Sequence, residues 1–341
     1  MQYISIFLLV ISFYFLNNLF IKKKLLPNFS GEAHQLFVGE KNIPLSGGLF
    51  LIFFFVIFFF KIKIILVLHL LLIFLLGISS DIRSQITPVL RLFFQTLIVI
   101  SFVITSDLSI SSTRVLILDN ILLNPYYNMI FVSFCMLILI NGTNFIDGLN
   151  GLVITYYLFI LLVILYLHTS FNLLIDESQI KILIFSLIFL IILNLFNKLF
   201  LGDSGSYILG FFFGYFLISL YSLNTDLSPF LIVLLLWYPC FEILFSMIRK
   251  FQLNKSPIYP DKNHLHQLLY YFLSKKLSLK KNLINNSASL MINFYNLIIF
   301  ALCTINIYNS SYIIFLTIIN IFIYIFLYIR LFKFRYRLLD K

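Results

Sequence analysis

The sequence predicts an all-α, polytopic integral membrane protein with about eleven transmembrane helices, its N-terminus outside and its C-terminus cytoplasmic. Three observations carry this. Of 341 residues, 61% are hydrophobic and only 11% charged, and the mean hydropathy is +1.04, a balance foreign to water-soluble domains. Apolar runs of roughly 17–20 residues, enough to cross a hydrocarbon core as helices, recur along nearly the whole chain. Lysine and arginine are strongly biased to alternate loops.

The runs fall near 3–20, 45–62, 64–79, 89–106, 125–142, 152–168, 182–196, 207–223, 229–247, 289–308 and 311–329. The first is followed by Lys22, Lys23 and Lys24 and by no small-residue cleavage site, so it reads as a retained span and not as a cleaved signal peptide. The third and seventh are the shortest. Of the 24 Lys and Arg residues, all but Lys61, Lys63, Arg114 and Lys181 follow odd-numbered spans or lie in the C-terminal tail. The odd loops are therefore expected to be cytoplasmic: 21–44, 80–88, 143–151, 197–206 and 248–288, within a single transmembrane domain spanning 1–341. The net charge of +11 becomes a cytoplasmic-face charge, suited to anionic lipid headgroups or a phosphorylated substrate. No nucleic-acid partner is expected. Cys135, Cys240 and Cys303 lie in different spans without paired spacing, which indicates neither a disulfide framework nor a zinc site.

Four polar clusters interrupt this apolar background: "GISSDIRSQITPVLRLFFQ" (77–95), "NGTNFIDGLNGL" (141–152), "NKLFLGDSGSYILGF" (197–211) and "PDKNHLHQLLY" (260–270). They occupy the third, fifth, seventh and ninth loops, all on one face. In the second, Asn141, Asn144, Asp147 and Asn150 recur every three residues, so successive members are helical neighbours presenting amides and a carboxylate to one spot. The alternative for this stripe is adhesion between spans. In the third, Gly202 and Gly205 allow close backbone approach, and a helix expected to begin near Tyr207 would aim its amides at an anion beside Asp203. A phosphate beside a carboxylate calls for an intervening cation, and magnesium is the usual one; simple helix capping by Asp203, Ser204 or Ser206 is the alternative. In the fourth, His264 and His266 suit anion contact or proton transfer better than zinc, since no further Cys or His completes a site. His69 and His168, inside or at the far end of spans, read as structural. The residues alone describe a membrane enzyme whose cytoplasmic face binds a phosphorylated substrate through a divalent cation.

Together, and in this order, the clusters resemble the polyprenyl-phosphate N-acetylhexosamine-1-phosphate transferases, from "IPLSGGLF" (43–50) to "HLHQ" (264–267). The resemblance implies transfer of a sugar 1-phosphate from a UDP-N-acetylhexosamine to polyprenyl phosphate, with magnesium as cofactor and UMP as leaving group, at the cytoplasmic face of a bacterial inner membrane. It implies Asp203 and Asn144 as the metal's ligands. It places Asp81, Asp203 and His264 in the catalytic set, and Lys41, Asn144, Asp147, Asn150, Phe200 and His266 around the substrate, with Phe200 stacking on uracil. A homodimer is compatible with it. Alternatives are a transporter or flippase for lipid-linked or nucleotide substrates, which would want ionisable groups at the bilayer midplane and an internal repeat, and an inactive family member.

The sequence departs from the family pattern at three places: Ser80 stands where the first of two Asp is usual, Asn150 where a second Asp of its motif is, and Gln267 where a third His is. Ser80 matters most, since the missing carboxylate has been assigned the task of deprotonating the lipid phosphate. A phosphate monoester with a second pKa of about 6 is roughly nine-tenths dianionic at neutral pH, so the base is dispensable and activity is expected to survive. Asn150 and Gln267 keep hydrogen-bonding capacity and are expected to tune selectivity.

Overall fold

The computed structural model describes residues 2–26, 43–82, 86–252 and 263–337. Among them the chain is helical throughout, with no β-strand. Fourteen helices run α1 Gln2–Lys23, α2 Gly47–Phe59, α3 Ile64–Ile82, α4 Pro88–Thr105, α5 Leu116–Leu122, α6 Pro125–Ile146 and α7 Leu152–Phe171, then α8 Glu177–Leu195, α9 Gly202–Leu223, α10 Pro229–Leu235, α11 Trp237–Gln252, α12 Leu265–Lys276, α13 Lys281–Cys303 and α14 Ser310–Arg337.

Each apolar run of the sequence corresponds to a helix or helix pair, but eleven full spans is not what results. Nine described helices are long and apolar enough to cross a membrane, ten if the bent pair α10–α11 is one span. The remaining run forms α2, whose 13 residues reach only about 20 Å at 1.5 Å per residue. The protein is thus a polytopic membrane protein in which, among the described residues, α2 is a short apolar helix and α10–α11 a bent pair.

The break has a local cause. Pro239 has no amide hydrogen and its ring crowds the carbonyl four residues back, at Leu235. α10 ends there, and the axis turns by 72° into α11. The freed Leu235 carbonyl accepts from the Tyr156 hydroxyl at 2.8 Å, so this carbonyl keeps a partner in apolar surroundings. α11 is carried out of line with its charged face, Glu242, Arg249 and Lys250, displaced sideways.

α9 is the central helix, packed against α2, α3 and α6, and glycine is what lets it be central. Without a driving force from water, helices in lipid associate by close packing at small residues. A methyl at Gly210 would lie 2.7 Å from the Ile140 Cα of α6, and one at Gly77 would lie 2.4 Å from the Ser204 Cα of α9. Around these contacts an aromatic core fills the bundle, with Tyr157 stacked on Phe213 at 4.1 Å between centroids. His69 and His168, expected from the sequence to be structural, are both hydrogen-bonded within the bundle. His69 spends its ring nitrogens on the Ile65 carbonyl and the Ser101 hydroxyl, and His168 bonds the Leu173 carbonyl.

Candidate active site

The close approach of α3 to α9 positions the first two groups of the site. Ser80 and Asp81 lie three and four residues after Gly77, on the face that meets α9. Asp81 accepts from the Asp203 amide at 2.8 Å, the Ser204 amide at 3.1 Å and the Ser204 hydroxyl at 2.8 Å. A carboxylate from one helix therefore caps the N-terminus of another, satisfying amides that have no intrahelical partner. Gly202 sits at φ +74°, and its missing Cβ would fall 2.8 Å from Asp81 Oδ2; only glycine allows both the left-handed turn and this approach.

Capping in trans is why α9 starts at Gly202 and not near Tyr207. Hydropathy reads "GDSGS" as loop, whereas the Asp81 cap lets those five residues form the first turn. Asp203 consequently stands on a rigid helix end with its carboxylate projecting. Its Oδ2 accepts from the Ser80 hydroxyl at 2.6 Å and from Arg91 Nη1 at 2.8 Å, and its Oδ1 accepts from the Asn144 amide at 2.7 Å. Arg91 also donates to Ser80 Oγ at 2.7 Å, and the Asn144 amide to Ser206 Oγ at 3.1 Å. Ser80 thus bridges the arginine and the carboxylate.

Asp147 follows the last turn of α6, one turn beyond Asn144. Burial, with the Asp203 and Asp81 carboxylates nearby, pushes its carboxyl well above the usual range.

The fourth cluster closes on the same end of α6. His264, just before α12, lies edge-on to Phe145 at 5.2 Å and stacks on His266 at 5.6 Å with 6° between rings. His266 is buried, and a methyl at Gly148 would fall 2.4 Å from its Nε2, so the histidine pair rests on the turn that carries Asp147. Gln267, where the family pattern has histidine, accepts the His264 amide at 3.4 Å and steadies the start of α12.

The four clusters that the sequence placed on one face are contiguous. Asp81 and Asn144 are each hydrogen-bonded to Asp203, Asp81 through the Asp203 backbone amide and Asn144 through its carboxylate. Asp147, His264 and His266 adjoin them across the end of α6. Phe200 is half-buried two residues before Gly202, tied by its backbone to Pro44 and Gly47 at 2.9 and 3.0 Å. Asn150 is buried and points elsewhere: its amide donates to Asn197 Oδ1 at 2.6 Å, and its backbone amide to Asn285 Oδ1 at 2.8 Å. Lys41 lies outside the described residues.

Arg91 is the residue that sequence reasoning counted only as a loop charge. The available signal was its place near the start of an apolar helix, one helical turn before Gln95, which accepts the Asn141 amide at 2.9 Å. The sequence contact between 77–95 and 141–152 is made through that pair.

Among the described residues, no three His, Cys, Asp or Glu side chains come together to hold a metal ion. Asp81 is turned to the amides of α9. What the cluster offers is hard oxygen without thiolate or imidazole: the Asp203 carboxylate, the Asn144 side-chain carbonyl and the Ser80 hydroxyl. That set suits magnesium, which takes one or two protein oxygens and completes its shell with phosphate and water.

Comparison with known proteins fits this arrangement. The model of glycosyl transferase family 4 matches residues 63–221, a stretch containing Ser80, Asp81, Arg91, Asn144, Asp147 and Asp203. An undecaprenyl-phosphate alpha-N-acetylglucosaminyl 1-phosphate transferase from Thermotoga maritima is 31% identical over 235 residues, covering 66% of this chain and 67% of that one. A probable undecaprenyl-phosphate N-acetylglucosaminyl 1-phosphate transferase from Bacillus subtilis is 34% identical over 150 residues, 40% of this chain and 39% of that one.

Proposed function

This chain belongs to glycosyl transferase family 4, and from that premise we propose that it transfers an N-acetylhexosamine 1-phosphate from a UDP-sugar to polyprenyl phosphate, releasing UMP and starting a lipid-linked cell-surface glycan. The site is proposed to face the cytoplasm from a bacterial inner membrane, as the Lys and Arg distribution suggests. The observation that carries the reading is the Asp203 carboxylate, held out on the capped end of α9 among Ser80, Arg91 and Asn144. Phosphoryl transfer depends mainly on positioning and charge neutralisation, and this cluster supplies both.

Asp203 would hold magnesium, with the Asn144 carbonyl and Ser80 hydroxyl beside it. Magnesium, when bound, neutralises diphosphate charge and polarises the phosphorus under attack. A lipid phosphate oxygen attacks the β-phosphorus of the UDP-sugar, the bond from that phosphorus to the bridging oxygen breaks, and UMP leaves. Ser80 is no base, and none is required by a nucleophile already dianionic at cytoplasmic pH. Asp81 acts from beneath, fixing the start of α9 and so the direction of Asp203. The histidine pair at the start of α12 supplies donors for the diphosphate or the sugar.

Purified protein in detergent, given undecaprenyl phosphate and a panel of UDP-N-acetylhexosamines, tests this. Turnover with at least one donor, abolished by chelation and restored by magnesium, is expected. No turnover with any donor would count against it.

Arg91 competes with the metal for Asp203 Oδ2. Their side chains are 26% and 27% exposed, and an ion pair of this exposure is worth about 1 kcal/mol or less. Arg91→Ala is therefore expected to lower the half-saturating magnesium concentration by up to about fivefold, read from magnesium titrations of turnover. A rise would mean that Arg91 assists the metal.

A further inference from the structure

Glu242 is fully buried, one helical turn beyond the Pro239 bend, in a setting where an ionisable group needs a reason. Its carboxylate is saturated from two sides. Oε1 faces His264 Nδ1 at 3.0 Å and accepts the Leu265 amide at 3.3 Å. Oε2 accepts the Tyr324 hydroxyl of α14 at 2.7 Å. α12 and α14 thus converge on a carboxylate of α11, and among its described hydrogen-bond partners His264 is the side chain that belongs to the proposed site.

We propose that Glu242 is a positioning residue for His264: it holds the proton on Nδ1, fixes the ring plane, and leaves Nε2 as the nitrogen offered to the phosphorylated substrate. A carboxylate is acceptor-only, so the nitrogen facing it must be the protonated one. The ring is then clamped between Phe145, edge-on, and His266, stacked, and cannot flip without losing the Glu242 bond. The bend at Pro239 gains a purpose from this, since it carries Glu242 to where α12 begins. The catalytic part of the proposal rests on the function proposed above; the tautomer does not.

Other charged and titratable groups surround the pair. Arg249 of α11 donates to the Asn263 carbonyl at 3.0 Å and to the Tyr328 hydroxyl at 2.8 Å. Lys250 lies over the Phe145 ring. Arg335 and Tyr336 of α14 donate to Asn263 Oδ1. His266 stacks on the ring, Tyr238 of α11 lies one turn before Glu242, and Asp147 ends α6. The hydrogen bond that His264 Nδ1 makes amid these groups is the one to Glu242, so the tautomer of that ring reports on Glu242.

The experiment is nitrogen-15 NMR of histidine-labelled full-length protein in detergent, practicable because the chain has five histidines; His264→Gln assigns the resonance. At alkaline pH the wild type is expected to show Nδ1 protonated and Nε2 bare. Glu242→Gln keeps the size but can turn an amide N–H toward the ring in place of the acceptor-only carboxylate, so the Nε2–H tautomer of His264 is expected to become populated. Should Glu242→Gln fail to fold, the wild-type tautomer still decides the matter. The Nε2–H tautomer in the wild type, or a tautomer unchanged in Glu242→Gln, would overturn the proposal. Where wild-type turnover exists, Glu242→Gln should lower kcat tenfold or more with donor KM changed less than about threefold, and should add nothing in a His264→Gln background. A purely structural Glu242 would instead lower stability while leaving the tautomer and the surviving kcat in place. If the wild type turns over no UDP-sugar, the NMR result stands by itself and it is the transferase reading that fails.

Discussion

Asp203→Asn is expected to lower turnover on the order of 10³-fold or more while leaving the fold intact. The two effects separate because different atoms of residue 203 carry them. The backbone amide is what Asp81 caps, at 2.8 Å, and asparagine keeps it. The carboxylate is what Ser80, Arg91 and Asn144 converge on, and asparagine is neutral there. The cluster then loses the charge proposed to hold magnesium, while the broken ion pair with Arg91 costs about 1 kcal/mol or less at this exposure. Initial rates with saturating magnesium, read beside a thermal melt in the same detergent, check this. Turnover near wild type would remove Asp203 from the metal site; a collapsed melt would make it a structural residue.

Gly77→Ala is expected to be less damaging to activity than Asp203→Asn and more damaging to stability. The added methyl would meet Ser204 Cα at 2.4 Å, Ser204 N at 2.7 Å and Asp203 C at 3.0 Å. All are backbone atoms of the rigid first turn of α9, so no side chain can swing aside and α3 must withdraw. Overpacking of this kind costs about 1–3 kcal/mol. The withdrawal also drags Ser80 and Asp81 away from Asp203, since they follow Gly77 by one helical turn. A melt lowered by several degrees, with kcat reduced about 10²-fold and the remaining activity as magnesium-dependent as before, is the expected pattern. Wild-type activity in the alanine variant would mean that α3 and α9 are not held at this distance.

Much of this architecture is legible in the sequence because lipid imposes it. A chain that must satisfy its backbone inside each segment shows its helices as apolar runs, and every run is found as a helix or a helix pair. Boundaries are less legible. "GDSGS" looks like loop because hydropathy weighs residues one at a time, and the cap that makes it helical comes from Asp81, 122 residues away in sequence. The split between α10 and α11 was announced by Pro239, whose effect is hidden by the uninterrupted hydrophobicity around it.

For the site, the polar clusters stand out because charge is scarce. Asn144, Asp147, Asp203, His264 and His266 could be found that way. Arg91 and Glu242 could not be distinguished from ordinary basic flanks and a stray acid, because their meaning lies in partners. Arg91 reaches Asp203 across 112 residues of sequence and Glu242 reaches His264 around the end of α11. Asn150 shows the converse. Its spacing continues the stripe of Asn144 and Asp147, but the chain turns at Gly151, at φ +74°, and the side chain joins Asn197 inside the bundle.

The identity of the nucleotide product tests the central claim most directly. Attack at the β-phosphorus releases UMP and leaves a lipid carrying a sugar through a diphosphate; attack at the sugar's anomeric carbon releases UDP and leaves a single phosphate in the lipid. Chromatography of the nucleotide, with a mass spectrum of the lipid from the same magnesium-dependent reaction, is expected to show UMP and the diphosphate-linked lipid in equal amounts. UDP with a monophosphate-linked lipid would contradict the account.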